Sequence, residues 1–235
     1  IEKIYCSETT GVHEGQSWQL LCRRYPMIVF TRMASHTLFA QDELPFKLAQ
    51  LPDSFSKFRK IAEQLTIKSP IAVPQHLPPS PLAAEKWVPS ASTLGHKPLF
   101  QGGEQEGLAH LDRYFESNLA SRYKQTRNGL DGLDYSTKFS PWLANGSLSV
   151  KRVVERLRTY EREVESNDST YWIYVELLWR EYYQWYAHRN GKQLFNFKGI
   201  KSSNPTTSFY PERFQKWCYG NTPYPIVNAC MKQLN

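Results

Sequence analysis

The spacing of apolar and polar residues changes character along the chain, from short mixed elements to long helices. Near the start, IEKIYC has the apolar content of a strand, EGQSWQLLCRR has helical spacing, and PMIVFTR has the composition of a buried strand. LPDSFSKFRKIAEQL predicts a further helix. The order strand, helix, strand predicts a βαβ unit with a parallel sheet.

A proline-rich stretch separates this part from a helical remainder. Seven prolines lie between residues 68 and 98, and proline at this density excludes regular helices and central strands. The pattern beyond it predicts helices at 104–119, 149–165 and 168–190, and from Pro225 onward. We therefore expect three parts: an α/β domain at 1–67, a linker at 68–100 and an all-helical domain at 101–235.

The helix predicted at 168–190 is rich in aromatic residues and still carries charges. Four of its residues recur at helical intervals and share one face: Trp172, Glu176, Trp179 and Tyr183. Arg180 lies at the edge of that face. One interpretation is a core helix whose Glu176–Arg180 pair is exposed and contributes a few tenths of a kcal/mol. The other is a pocket wall, where rings stack on a flat ligand, arginine binds an anion and glutamate accepts a hydrogen bond.

Hydroxyl groups and a lysine cluster in the segment STKFSPWLANGSLS. Ser136, Thr137 and Ser140 flank Lys138, and Pro141 suits the first turn of a helix. Hydroxyls, an ammonium group and free N–H groups at a helix start can together bind an anion. From spacing alone, an ordinary serine-rich turn with a helix cap is the simpler interpretation.

Composition adds modest constraints. The net charge of +7 is compatible with nucleic acid or another polyanion, and the aromatic content of 14% favours ring binding or an aromatic core. Four scattered cysteines without a CxxC motif predict reduced core thiols: Cys6, Cys22, Cys218 and Cys230. The six histidines are dispersed, so we expect no metal site. No apolar run reaches the length of a membrane span, and no signal peptide is visible.

Several of these segments, in this order, resemble the photolyase/cryptochrome family. The resemblance is carried by GGEQEGLAHLDRYF, YKQTRNGLDGLDYSTKFSPWLANGSLS, NDSTYWIYVELLWREYY and YPIVNACMKQLN. TLFAQDELPFKLAQLPDSFSKFRK and NDSTYW are similar to its DASH branch in particular. The resemblance implies α/β followed by all-α: a partial Rossmann-like antenna domain, a long linker and the first half of a helical FAD-binding domain. It also implies FAD and a 5,10-methenyltetrahydrofolate antenna.

The resemblance also implies roles for individual residues. Six residues match the family segment that holds the FAD phosphates: Tyr123, Ser136, Thr137, Lys138, Phe139 and Ser140. Arg180 matches an arginine on the flavin side. Glu176 matches the carboxylate that contacts a pyrimidine dimer, Trp179 matches the indole that stacks on it, and Tyr183 belongs to the same wall. For the folate, His36, Asp42 and Glu43 are weaker candidates that a loop cap explains equally well.

The chain also departs from the family pattern. The motif TGYPxVDAxMR stands here as TPYPIVNACMK, with Pro223, Asn228 and Lys232 at the altered positions. Asn228 and Lys232 cannot form the charged pair that the family motif provides. Thr207 stands where many members carry a tryptophan of the electron-transfer chain. The later helices of the family domain have no counterpart here, so we expect either a fragment or a truncated copy.

The function that the resemblance implies is FAD-dependent, blue-light-driven repair of cyclobutane pyrimidine dimers in single-stranded DNA. The reaction would be that of a deoxyribodipyrimidine photo-lyase, in a protein that is monomeric when complete. One alternative is a non-catalytic blue-light photoreceptor or nucleic-acid-binding protein of the same fold, and another is a truncated non-functional copy. We expect the cytoplasm as its location if the source is bacterial, and a plastid or mitochondrion if it is eukaryotic.

Overall fold

The predicted βαβ unit forms the start of the chain. The computed structural model describes residues 1–72, 74–76, 79, 99–129 and 132–235. Strands β1 (Lys3–Ser7) and β2 (Val29–Met33) pair in parallel, with Lys3 opposite Val29, and helix α1 (Val12–Arg24) connects them. The expectation that the second strand is buried is wrong, because Val29 and Met33 are 54% and 52% exposed. Helix α1 shields the sheet through Trp18, whose ring lies edge-on to Phe30 at 5.2 Å.

The remainder of the first packing unit, residues 1–191, is helical. Its helices are α2 (Phe55–Ala62), α3 (Glu104–Glu116), α4 (Leu119–Thr126), α5 (Ser140–Asn145), α6 (Val150–Glu163) and α7 (Asp168–Asn190). The predicted order, α/β followed by helices, is therefore confirmed. Most of the linker expected at 68–100 lies outside the described residues. The packing units are defined by contacts, so the domain boundaries expected at 67/68 and 100/101 stay predictions.

The sequence pattern missed a helix break and the helix that follows it. A single helix was expected at 104–119, but α3 ends at Glu116 and α4 begins at Leu119. The Ser117 hydroxyl donates to the Tyr114 carbonyl at 2.6 Å and accepts from the Leu119 N–H at 3.2 Å. A serine side chain that bonds to nearby backbone competes with the helix ladder, which accounts for the break.

Helix α7 is the central element of this unit and packs against α2, α4 and α6. No glycine or proline interrupts it, and the Asn167 side chain caps it by accepting from the Ser169 and Thr170 N–H groups at 2.8 and 3.1 Å. Its buried side chains surround most of the helix: Ile173, Tyr174, Val175, Leu177, Leu178, Glu181, Tyr182 and Trp185. The predicted face at 172, 176, 179 and 183 is the less buried one, so those residues lie outside the core.

Residues 192–235 form the second packing unit, which contains α8 (Pro211–Cys218) and α9 (Pro225–Leu234). The start of α9 was predicted, whereas α8 was missed. Asn228 accepts from the Thr222 N–H and hydroxyl and donates to the Thr222 carbonyl, each at 2.7 Å. Only an amide side chain can accept and donate in this way. The family departure at this position therefore has a local structural role, which is to hold the turn before α9.

The structure also bears on the cysteines, on membrane spans and on metal sites. The four cysteines are free thiols, but none is buried, so the expectation of core thiols is wrong. Within the described ranges, no helix is long and apolar enough to cross a membrane. In the same part of the chain, no group of three or more His, Cys, Asp or Glu side chains could hold a metal ion.

The caps of α6 and α7 allow a matched stability test. Replacing Asn167 by alanine removes two capping hydrogen bonds and the bond that its amide donates to the Ser121 carbonyl, and should lower the free energy of unfolding by about 1 kcal/mol or somewhat more. Ser149 occupies the corresponding position of α6, where its side chain makes no capping hydrogen bond, so Ser149→Ala should change stability much less. Urea unfolding of both variants measures this difference. Equal losses would contradict the capping role of Asn167.

Candidate functional site

A cavity of about 260 Å³ lies where α4, α5 and α7 meet. Ten residues from three separate segments line it: Tyr123, Thr137, Phe139, Ser140, Leu143, Ala144, Ile173, Glu176, Leu177 and Arg180. Six of them are among the ten site residues expected from the sequence: Tyr123, Thr137, Phe139, Ser140, Glu176 and Arg180. The fold thus brings together most of the expected site, with apolar walls between the polar groups.

The segment before α5 is fixed by its backbone and by one buried ring. Phe139 is buried, and Pro141 lies in the first turn of α5 as expected. The Thr137 carbonyl lies 2.8 Å from His110 Nε2, and the His110 ring stacks on Trp142 with a centroid distance of 4.9 Å. Lys138 takes the left-handed backbone conformation, with φ of 54°. That conformation costs a non-glycine residue about 1–2 kcal/mol.

The polar side chains of this segment are not engaged by the described part of the protein. Within it, no hydrogen bond or ion pair involves the side chains of Ser136, Thr137, Lys138 or Ser140. Lys138 and Ser136 lie beside the cavity-lining residues without lining it themselves. Three hydroxyls and one ammonium group therefore remain available to an anionic ligand at this end of the cavity.

Glu176, which also lines the cavity, pairs with an arginine that the sequence analysis did not identify. Its carboxylate accepts from Arg127, just beyond the end of α4. The Arg127 guanidinium also lies 4.8 Å from the centroid of the Trp172 ring. The interpretation in which Glu176 pairs with Arg180 is wrong, because Glu176 and Arg180 have different partners. No local pattern could have identified Arg127, because it meets Glu176 only when α4 packs against α7.

Tyr123 lines the same cavity, where Glu176 and Arg127 both act on it electrostatically. Burial raises the pKa of its phenol to about 12, the negative charge of Glu176 acts in the same direction, and Arg127 opposes it. Tyr123 is therefore a neutral hydrogen-bonding group at physiological pH.

Arg180 is held by two backbone carbonyls. Its guanidinium donates to the His36 carbonyl and, at 3.3 Å, to the Leu143 carbonyl in α5. Burial lowers the pKa of Arg180, and the charge of Glu181 opposes this. The pKa of His36 is lowered by burial and by Arg180. Arg180 thus places a positive charge at the cavity wall while bonding to neutral groups.

The neighbouring Glu181 is buried completely, with 0% exposure. Its Oε2 accepts from the Leu38 N–H at 2.7 Å, and its Oε1 accepts from the Phe39 N–H at 3.3 Å and from Trp185 Nε1 at 2.7 Å. Burial raises the pKa of this carboxyl to about 7, because it outweighs the three hydrogen bonds and the charge of Arg180. Sequence reasoning missed this residue, since nothing local marks a charged residue as fully buried.

Besides Ser136 and Lys138, two more expected residues do not line the cavity. Trp179 stacks on Phe55 of α2, with ring centroids 3.6 Å apart and planes 13° apart, and Tyr183 lies against it at 5.4 Å. Tyr183 is 59% exposed. These rings form an aromatic surface on α7 that is separate from the lining of the cavity.

The weaker folate candidates do not come together in one site, because Asp42 and Glu43 lie apart from the cavity and His36 adjoins it through Arg180. Glu43 accepts from the Ala40 N–H at 2.6 Å and pairs with Lys68, which is the loop-cap arrangement considered from the sequence. Asp42 lies in the same short 3-10 turn. His36 lies near Arg180 instead, in a small cavity with Thr9, Gly11 and Gln184.

The comparisons with known proteins agree with the fold. Residues 172–235 match the family model of the FAD binding domain of DNA photolyase. The chain is 50% identical to cryptochrome DASH of Idiomarina loihiensis and 49% identical to that of Vibrio parahaemolyticus, covering 100% of this chain and 53% of each relative. The chain therefore spans about half the length of the curated relatives it matches.

Solved structures give the same result. A cryptochrome from Synechocystis sp. PCC6803 matches with a TM-score of 0.87 and 36% identity, over 100% of this chain and 51% of that chain. A bacterial class III photolyase from Agrobacterium tumefaciens matches with a TM-score of 0.65 at 18% identity, over 99% of this chain and 50% of that one, which shows the shared fold alone. The chain belongs to the DNA photolyase/cryptochrome family. Within that family, it belongs with the DASH-type cryptochromes.

Glu181 gives the stability a pH dependence of defined sign. Its carboxyl has an ordinary pKa of 4.5 and a pKa of about 7 in the fold. Between these values the folded protein keeps a proton that the unfolded chain has lost, so the free energy of unfolding falls as pH rises from about 4.5 to about 7. The total effect is about 3 kcal/mol, and Glu181→Gln should remove it.

The comparison between parent and variant is the measurement that isolates this effect. His36 and His188 have pKa values lowered by burial, and they make stability rise with pH as it approaches their ordinary pKa, which is the opposite sign. Urea unfolding of both proteins should therefore be compared from about pH 4 to about pH 8. A difference that stays constant across this range would contradict the shifted pKa of Glu181.

Proposed function

We propose that the cavity between α4, α5 and α7 is part of a flavin site, and that it holds FAD near its phosphates. The observation that carries this proposal is the convergence of Tyr123, Thr137, Ser140 and Arg180 on one cavity. Those residues come from segments far apart in sequence. The family model that matches residues 172–235 describes an FAD binding domain, which supports the same ligand.

The chemistry of the cavity fits such a ligand. The hydroxyls of Ser136, Thr137 and Ser140 and the ammonium group of Lys138 are without partners among the described residues, and they suit phosphate oxygens. Arg180 adds a positive charge, and Phe139 supplies apolar contact. The volume of the cavity, about 260 Å³, lies below the ~300–1,000 Å³ of complete ligand pockets. The cavity would therefore hold part of FAD.

We further propose that the aromatic surface of α7 meets damaged DNA. Trp179 would stack on an exposed pyrimidine dimer, Tyr183 would extend that surface, and Glu176 would accept a hydrogen bond from the lesion. Aromatic stacking contributes about 1–3 kcal/mol per base and suits a base taken out of its helix. Glu176 lines the cavity, pairs with Arg127 and precedes Trp179 by three residues on α7, so it is close to both proposed ligands.

On these grounds the function is light-driven repair of cyclobutane pyrimidine dimers in single-stranded DNA, in the complete protein that contains this chain. FAD, when bound, would supply the light-excited electron. The chain's residues would hold FAD, orient the lesion and exclude water. A blue-light photoreceptor without catalysis remains the alternative, and dimer splitting in an irradiated oligonucleotide separates the two. The bacterial source of the two relatives near 50% identity supports a bacterial cytoplasm over a plastid or mitochondrion.

The family also leads us to propose a folate antenna, with His36, Asp42 and Glu43 as its weaker candidates. The support is limited to the resemblance, because Glu43 is already engaged by Ala40 and Lys68. The folate absorbance of purified full-length protein tests this directly.

Lys138 provides the test of the phosphate assignment. Lys138→Glu in the full-length protein should release FAD, because a carboxylate would face the phosphates. Lys57→Glu on the exposed surface of α2 is the matched control, since it makes the same charge change on a side chain without a partner among the described residues. The ratio of flavin to protein absorbance measures retention. Full flavin content in Lys138→Glu would count against the assignment.

Trp179 provides the test of the lesion surface. Trp179→Ala should leave FAD bound and weaken binding of a dimer-containing single strand about 5- to 150-fold, from the loss of ~1–3 kcal/mol of stacking. Phe55→Ala is the control, because it removes the Phe55–Trp179 stack and keeps the indole. Fluorescence anisotropy of a labelled oligonucleotide measures both affinities. An equal loss in both variants would mean that Trp179 acts through packing, not through the lesion.

A further inference from the structure

Two consecutive side chains of α7 hold the same short segment of backbone. Glu181 accepts from the N–H groups of Leu38 and Phe39, and Arg180 donates to the carbonyl of His36. In the segment 36–39, two N–H groups therefore bond to a negatively charged side chain, and one carbonyl bonds to a positively charged side chain. It lies about 140 residues away from α7 in sequence, so this contact is tertiary.

Arg180 links that segment to the proposed flavin cavity. It lines the cavity, and its other carbonyl partner is Leu143 of α5, which also lines it. The direction of the guanidinium thus depends on the position of the His36 carbonyl. That carbonyl is covalently joined, within three residues, to the two N–H groups that Glu181 holds.

We propose that Glu181 is a positioning residue of the flavin site: it fixes segment 36–39, and through the His36 carbonyl it fixes the Arg180 guanidinium at the cavity wall. This inference rests on the proposed function. Glu181 itself does not line the cavity, so it acts through Arg180.

The contact uses both side-chain oxygens of Glu181 as acceptors for three N–H donors. Glutamine would place an NH₂ group against at least one of the donors and leave it unsatisfied, which costs about 1–3 kcal/mol when the group is buried. Aspartate is one methylene shorter, so its carboxylate would not reach the backbone of segment 36–39 and the Trp185 indole at the same time.

A purely structural role for Glu181 is the competing explanation, and Tyr182 supplies its control. Tyr182 is the next residue on α7, is buried, and donates to the Pro52 carbonyl at 3.2 Å. It therefore also ties α7 to the N-terminal part of the chain. It does not contact Arg180 or the segment 36–39 through any hydrogen bond in the described structure, so Tyr182→Phe should lower stability without moving Arg180.

The first measurement is the rate of FAD release from the full-length protein, followed by flavin fluorescence. Glu181→Gln should speed release on the order of tenfold, as expected for loss of one hydrogen bond to a charged group. Tyr182→Phe should release FAD at the parental rate. The double variant Glu181→Gln/Arg180→Lys should be no faster than Arg180→Lys alone. A parental rate in Glu181→Gln, or fully additive effects in the double variant, would overturn the proposal.

The second measurement does not depend on flavin. Phenylglyoxal modifies accessible guanidinium groups, and peptide mass spectrometry reports the rate at Arg180 separately from that at Arg189. In flavin-free protein, Glu181→Gln should raise the Arg180 rate several-fold and leave Arg189, which donates to Leu51, unchanged. An unchanged Arg180 rate would overturn the positioning role. If the parent protein binds no FAD but the Arg180 rate rises as expected, the flavin proposal fails and the positioning of Arg180 stands.

Discussion

The arrangement of the first packing unit depends on the carboxylate of Glu181. Removing a carboxylate from water is costly, and the pKa of about 7 records that cost. The fold tolerates it because the Leu38 and Phe39 N–H groups and the Trp185 indole would otherwise be buried without partners. One charged side chain thus satisfies three donors from two parts of the chain. Breaking that contact would leave both the segment at 36–39 and α7 with unsatisfied polar groups.

From this contact the site follows in steps along α7. Arg180 extends from the same helix to the His36 and Leu143 carbonyls, and thereby closes one side of the cavity. Glu176, one turn earlier, also lines the cavity and pairs with Arg127. The cavity wall consequently combines one arginine and one arginine-paired carboxylate with apolar side chains. This distribution suits a ligand that is both anionic and flat, which agrees with the proposal of FAD.

The sequence predicted the elements whose signals are local. α6 follows strong apolar periodicity, and α7 is a long run without glycine or proline after the cap Asn167. Pro141 and Pro225 mark helix starts because proline is favoured in a first turn. α4 was merged into the helix expected at 104–119, because no glycine or proline marks the break at Ser117, and α8 was not predicted. The burial of β2 was wrong because an apolar strand is buried only if neighbouring elements cover it, and its own residues do not determine that.

The same distinction applies to the site. The hydroxyl cluster and the aromatic face were visible because each lies within one segment. The partner of Glu176 was not, because Arg127 and Glu176 are brought together only when α4 packs on α7. Glu181 was missed for a related reason, since its partners are backbone groups, and every residue has those. Sequence patterns therefore predicted which segments form the site, and the fold determined which charges are paired there.

Lys138 has a consequence for engineering this protein. Its backbone conformation is one that glycine adopts without strain, so selection for thermal stability alone would favour glycine at this position. Such a variant would gain stability and lose the ammonium group beside the cavity. If Lys138 binds FAD phosphates as proposed, stability and ligand affinity compete at this residue. A redesign guided by stability alone would then yield a more stable protein with a weaker phosphate site.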